Sequence, residues 1–160
     1  MIKNIKIIIL STFCFSIAVV AYSCTVDATK EIKSKNIKVV ENFIRKVLVE
    51  KKVSNAPQYL SQDFMFYRDY KKPVDLKNLM YHMKIQSNLC ATIKIPIKMI
   101  FASGTDKVTA MYSGTCLDDA GHIKIQTRMI TIYKMAHFKI SKMWQITHNK
   151  GSFTEWNKGY

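Results

Sequence analysis

The chain has 160 residues, enough for one domain, and carries 25 Lys and Arg against 11 Asp and Glu, a formal charge of +14. A hydrophobic content of 48% excludes a disordered chain. Five Gly and three Pro exclude collagen-like and low-complexity chains, and four Cys without a C-x-x-C pair exclude a zinc ribbon and a dense disulfide scaffold.

Residues 1–23 read as a signal peptide or a membrane anchor. Lys3 and Lys6 form a basic start, Ile7 to Ala21 is almost wholly apolar, and Ala21 and Ser23 stand at the two positions a signal peptidase inspects. Cys24 directly after Ser23 resembles a bacterial lipobox, whose Cys is acylated, although Tyr22 departs from its usual small or branched residue. Plain secretion, lipidation at Cys24 and an uncleaved anchor stay open; all three export the domain, to the periplasm, the envelope or the medium. Export makes nucleic acid a poor partner for the positive charge, and leaves an anionic membrane surface as a candidate one.

Residues 24–35 are polar and read as a tether, and 36–160 as one domain. Ile37, Val40, Phe43, Ile44, Val47 and Leu48 recur at helical spacing. Pro57 opens a short second helix, and Asp63 to Asp69 reads as an aromatic-rich strand. Leu76, Leu79, Met80 and Met83 mark another amphipathic helix, with Pro73 and Asp75 in its first turn.

From Thr92 the period switches to two and predicts a four-stranded antiparallel meander. Its inner positions are Ile93, Ile95, Ile97, Met99 and Phe101, then Val108, Ala110 and Tyr112, then Ile123 and Ile125, then Ile140, Trp144 and Ile146. A Ser103-Gly104 turn pairs Ile97 with Ala110, an Asp118–Gly121 loop pairs Tyr112 with Thr127, and an Ala136-His137 turn pairs Met129 with Trp144. Tyr112, Thr127, Thr131, Lys142 and His148 are the polar exceptions on this inner face. The outer face carries Lys94, Lys98, Lys107, Lys124 and Arg128 around Met111, Ile130, Ile132 and Met143, a pattern that suits self-association.

The order helix, short helix, strand, helix, meander resembles the nuclear transport factor 2-like superfamily, nearest its SnoaL-like branch. The residues that carry the resemblance are Tyr59-Leu60-Ser61-Gln62-Asp63-Phe64 leading into Tyr67-Arg68-Asp69, Asp106-Lys107-Val108 through Tyr112-Ser113-Gly114-Thr115, and Lys139-Ile140 followed by Trp144. The resemblance spans about residues 36 to 150. It implies a cone-shaped α+β fold in which a curved sheet wraps a long helix and encloses a pocket. Proteins of this fold often dimerise through the sheet.

The pocket residues expected from the registers and the resemblance are Tyr67, Tyr112, Thr127, Trp144 and His148. His148 stands where the SnoaL-like pattern often has an acid. One reading makes His148 a general base, oriented by Asp69, with Tyr112 donating to a developing oxyanion. The other makes His148 and Tyr112 satisfied pocket-edge residues and Asp69 a turn cap.

No cofactor is expected, because no Gly-rich phosphate loop is present, and no metal, because no His pair has zinc-helix spacing. The Ser103-Gly104 register sets Cys116 opposite Ala91, so a bulge near Pro96 would let Cys90 and Cys116 form a disulfide. Phe153, Trp156 and Tyr160 are expected to pack over the pocket mouth or the sheet edge. Three functions remain: an exported domain that binds a small apolar ligand or a protein partner, a cofactor-independent isomerase- or cyclase-like enzyme, and a component of an envelope secretion assembly.

Overall fold

The computed structural model describes residues 28–150 except Tyr70, with the backbone alone for Asn149 and Lys150. The signal segment and Cys24, and the tail with Phe153, Trp156 and Tyr160, lie outside the described residues. Helix α1 is described from residue 28, so residues 28–35, read above as tether, are helical. It runs to residue 42 and continues as a wider π-wound segment over Phe43–Val49. Its apolar stripe (Val40, Phe43, Ile44, Val47) is buried against the sheet. Asn36 on the same face is also buried, and its side-chain amide donates to the Thr105 carbonyl at 2.8 Å.

A short 3-10 turn (Val53–Asn55) and helix α2 (Ala56–Tyr59) lead into strand β1 (Leu60–Arg68). Strand β2 (Val74–Asp75) precedes helix α3 (Leu76–Leu89). Asp75 is the N-cap of α3 rather than a first-turn residue: its carboxylate accepts from the Asn78 N–H at 2.8 Å. Strands β3 (Thr92–Lys94), β4 (Ile97–Ser103), β5 (Lys107–Leu117), β6 (Ile123–Ala136) and β7 (Lys139–Lys150) follow. The sheet order is β2-β1-β7-β6-β5-β3, with β4 also paired to β5, and β1 lies parallel to β7. Helices α1 and α3 fill the concave side of this curved, unclosed and mostly antiparallel sheet. The α+β cone is thus the fold: the expected meander and the expected strand β1, with β2 added and the first meander strand divided into β3 and β4.

Two of the three expected registers fail in a way that exchanges faces. In β4, Ile97 pairs with Tyr112 but Met99 pairs with Met111, so Lys98 is an extra residue and forms a bulge. Beyond it Ile100 and Ala102 turn inward, whereas Met99 and Phe101 are exposed. The turn to β5 is Gly104–Asp106, not Ser103-Gly104, and Gly104 takes a φ of +73 there.

In β7, Met135 pairs with Ile140 but Lys134 pairs with Lys142, so Ser141 is the extra residue. Met143, Gln145 and Thr147 therefore face inward, and Lys142, Trp144, Ile146 and His148 face out. The connecting turn is His137-Phe138, both with positive φ, as a two-residue hairpin of right-handed strands requires. The third register, β5 with β6, is displaced by two residues: Tyr112 pairs with Met129 instead of Thr127. An even displacement leaves the faces unchanged from Lys107 to Cys116, but the pairing shifts by one between Cys116 and Leu117, and Ile123, expected inward, is exposed.

Cys90 and Cys116 form a disulfide with their Cα atoms 5.3 Å apart. Cys116 lies opposite Ile93 rather than Ala91, and the bulge that sets this register is at Lys98, two residues beyond Pro96. Cys90 reaches it because it caps α3 just before β3 begins. The bridge spans 26 residues, so its loss releases loop entropy of about 3 kcal/mol into the unfolded state. Urea unfolding with and without reductant is expected to show a stability loss of about that size. Identical midpoints would rule out the contribution.

Candidate functional site

Between the helices and the concave sheet lies a cavity of about 190 Å³. Phe43, Val47 and Leu48 of α1, Leu79 and Met83 of α3, and Ile93 and Ile95 around β3 supply apolar wall. Phe66, Ile125, Met129 and Met143 continue it across the sheet. Arg68, His82, Gln86, Ser87, Thr115, Thr127, Gln145 and Thr147 give it polar points, and among the described residues no Asp or Glu lines it. Gly114 lets the wall close in: a Cβ there would sit 2.8 Å from the Met129 methyl.

A buried polar cluster forms part of the floor. The hydroxyls of Tyr112 and Thr131 share a hydrogen bond of 2.8 Å, and those of Tyr112 and Tyr133 one of 3.1 Å. The Gln145 amide donates to Tyr112 Oη at 3.1 Å and to Thr131 Oγ1 at 3.2 Å. Registers explain the meeting: Gln145 pairs with Thr131, and Tyr112 is the next inward residue along β5 from Thr131's partner Ala110. Burial pushes the Tyr112 phenol above its ordinary pKa, against the hydrogen bonds it receives, and burial holds Tyr133 higher still.

The expected site residues separate. Tyr112 and Thr127 line the cavity. His148 lies on the outer face opposite Arg128, and Trp144 stacks on Tyr67 on that same face with ring centroids 5.7 Å apart. Asp69, in a left-handed turn conformation with φ +45, accepts from the Thr147 N–H at 2.9 Å and from the Thr147 hydroxyl. His148, Asp69 and Tyr112 therefore do not form a constellation. The bulge at Ser141 reverses the face of His148 and Trp144, and Asp69 ties the end of β1 to β7, as a turn residue does.

Arg68, His82, Gln145 and Thr147 are among the polar wall residues that sequence reading missed. Arg68 carried a signal, because it continues the inward alternation of Phe64 and Phe66. So did His82, three residues after the buried Leu79 on α3. Burial first, then the charge of Arg68, holds the His82 imidazole below its ordinary pKa. Among the described residues no three His, Cys, Asp or Glu side chains gather as a metal site.

Two measurements test the floor cluster. Tyr112→Phe strands partners of the phenol, so a loss of about 1–3 kcal/mol is expected in urea unfolding. Both phenols have folded pKa values raised above about 10, so stability is full below that pH and falls above it, as the unfolded chain sheds those protons first. Absorbance titration of the phenols should show two tyrosines that ionise only as the fold opens. Ordinary titration of every tyrosine in the folded protein would refute the burial.

No protein-family model and no curated protein sequence matches the chain. Solved structures do resemble it. An epoxide hydrolase of M. tuberculosis, described as LEH-like, is 13% identical with a TM-score of 0.61 over 72% of this chain and 84% of its own. A protein named as a SnoaL-like polyketide cyclase from Jannaschia sp. CCS1 is 12% identical with a TM-score of 0.62, over 72% and 87%. A protein named as a polyketide cyclase from Acidithiobacillus ferrooxidans is 17% identical with a TM-score of 0.61, over 79% and 96%. At these identities the likeness establishes the architecture: the chain has the cone-shaped fold of the nuclear transport factor 2-like superfamily.

Proposed function

We propose that the chain is an exported domain that binds a compact, largely apolar small molecule inside its cone. The cavity carries this reading: it is open space walled mainly by aliphatic and aromatic side chains, with a few polar groups to orient a guest. Among the described residues its wall offers no carboxylate for acid–base work, Asp69 is engaged by Thr147, and His148 lies on the far face of the sheet. The structural neighbours are named for different chemistries, so the shared fold supports a pocket rather than a reaction. The Cys90–Cys116 bridge supports export, since such bonds persist in oxidising compartments.

Calorimetric titration with octan-1-ol tests the reading. Ile125→Trp, which fills the cavity from β6, should weaken binding by roughly tenfold or more, about 1.4 kcal/mol. His148→Ala should leave it unchanged. Equal binding by wild type and Ile125→Trp places the guest elsewhere.

A second reading concerns self-association through the outer face, favoured by two cross-strand apolar rows. One is Met99, Met111, Ile130 and Ile146; the other is Phe101, Thr109, Ile132, Trp144 and Tyr67. Ile146 is 70% exposed. Met143, expected in this patch, is inside, paired with Tyr133. Lys107, Lys134 and Lys142 border the patch as a third row. Sedimentation should show a dimer that Ile146→Lys dissociates; a wild-type monomer at every concentration would sink this reading.

A further inference from the structure

Resting on the cavity reading, the hydrogen bonds around Gln145 indicate which functional group a guest should carry. Gln145 lies where the floor cluster meets the open space. It lines the cavity, and its amide nitrogen donates down into the floor, to Tyr112 Oη at 3.1 Å, Thr131 Oγ1 at 3.2 Å and Met129 Sδ at 3.4 Å. A thioether sulfur has no proton to give, so the nitrogen and not the oxygen faces this group. The carbonyl oxygen is the other arm of the same planar amide and turns away from the floor. Among the described residues it accepts no hydrogen bond, and protein atoms do not seal it off. On an inward residue of β7, the space it meets is the cavity.

The groups beside that oxygen do not call for a charged guest. Thr147 is the next inward residue along β7 and also lines the cavity. Its hydroxyl and its N–H both donate to Asp69, so toward a guest the hydroxyl oxygen can only accept. Arg68 pairs with Gln145 in register and is ion-paired with Asp69, which answers its charge within the protein. Among the described residues no Asp or Glu lines the wall, so an ammonium would find no counter-ion there. A charged guest would shed its hydration without recompense.

We propose that Gln145 Oε1 is the anchor of the guest site, accepting the O–H of a neutral alcohol or phenol whose apolar body fills the rest of the cavity. A cavity of about 190 Å³ is close to the ~150 Å³ that admits benzene, so the body is a single ring or a chain of about eight carbons. Val47, Ile93, Ile95 and Ile125 bound the part that receives it. An ether, ester or ketone of the same shape brings no proton, and it leaves the Gln145 oxygen without a partner once water is displaced.

The full chain titrated by calorimetry at neutral pH with octan-1-ol and with 1-methoxyheptane, an isomeric ether that has no O–H, tests this. Octan-1-ol should bind about fivefold tighter or more. In a wall without a waiting acceptor the order reverses, because the alcohol sheds more water on entry. Equal or tighter binding of the ether overturns the anchor and leaves the cavity reading standing. Binding of neither overturns the cavity reading and this inference with it. Gln145→Met should abolish the preference while the ether still binds; a folded variant that keeps the preference refutes the proposal. Should that variant not fold, the side-chain carbonyl carbon of Gln145 in the wild type decides by NMR. Its resonance should move further downfield under saturating octan-1-ol than under the ether, and equal shifts overturn the proposal.

Discussion

One extra residue in the last strand decides what the cavity is made of. Ser141 interrupts the pairing of β7 with β6, and its hydroxyl donates to the Lys134 carbonyl at 3.2 Å, which satisfies a group that the interrupted ladder leaves behind. Before the bulge Ile140 faces inward, and after it Met143, Gln145 and Thr147 do. Without it the wall would hold Trp144, Ile146 and His148. A bulky aromatic and an isoleucine would then occupy the space beside α1, and Gln145 would lie outside, away from Tyr112 and Thr131. The open cavity, the polar floor and the apolar outer face all follow from this one insertion.

The floor cluster shows why such a cavity persists. A layer of Leu or Phe at positions 112, 131 and 145 could close over the space by side-chain repacking. Tyr112, Thr131, Tyr133 and Gln145 instead satisfy one another through hydrogen bonds whose directions fix the side chains. A fully bonded polar cluster resists collapse, because moving any member strands its partners at about 1–3 kcal/mol each. The raised phenol pKa values are the electrostatic signature of the same burial. A phenol so placed keeps its proton at neutral pH, and its hydrogen bonds hold the wall in shape.

Much of this was legible in the sequence, and the losses have one physical source. The helices appeared through their apolar stripes, and Val40, Phe43, Val47, Leu79 and Met83 are buried as their spacing required. Val108, Ala110 and Tyr112 face inward as their alternation required. Periodicity fails at Lys98 and Ser141, because a bulge shifts parity by one and leaves no mark in composition. Met99, Phe101, Trp144, Ile146 and His148 all lie beyond a bulge in their own strand, and all were assigned the wrong face. Thr127 and Thr131 lie on an uninterrupted stretch of β6 and kept theirs. Arg68 and His82 were overlooked for a different reason. A charge and an imidazole at inward positions look like errors of phase until the cavity beside them is known.

The excess of positive charge also gains a local meaning. Helix α3 has no basic residue in its last turn, so its C-terminal carbonyls lack a cation from their own helix. Lys51 supplies one from the far end of α1: its ammonium donates to the carbonyls of Cys90 at 2.9 Å, Ala91 at 3.1 Å and Ser87 at 3.3 Å. Lys124 on β6 reaches the Leu89 carbonyl at 3.5 Å, and Lys139 reaches Pro57 at 3.0 Å. Such bonds occupy acceptors that no acid could satisfy, and those of Lys51 tie the end of α1 to the disulfide corner. Part of the charge therefore closes helix ends, and part stands as the row Lys107, Lys134 and Lys142 beside the exposed apolar rows. Among the described residues that line the cavity, Arg68 carries the one permanent positive charge, and it stands beside Asp69. The surface charge acts on whatever lies outside the domain, over a range that salt screens within about 10 Å.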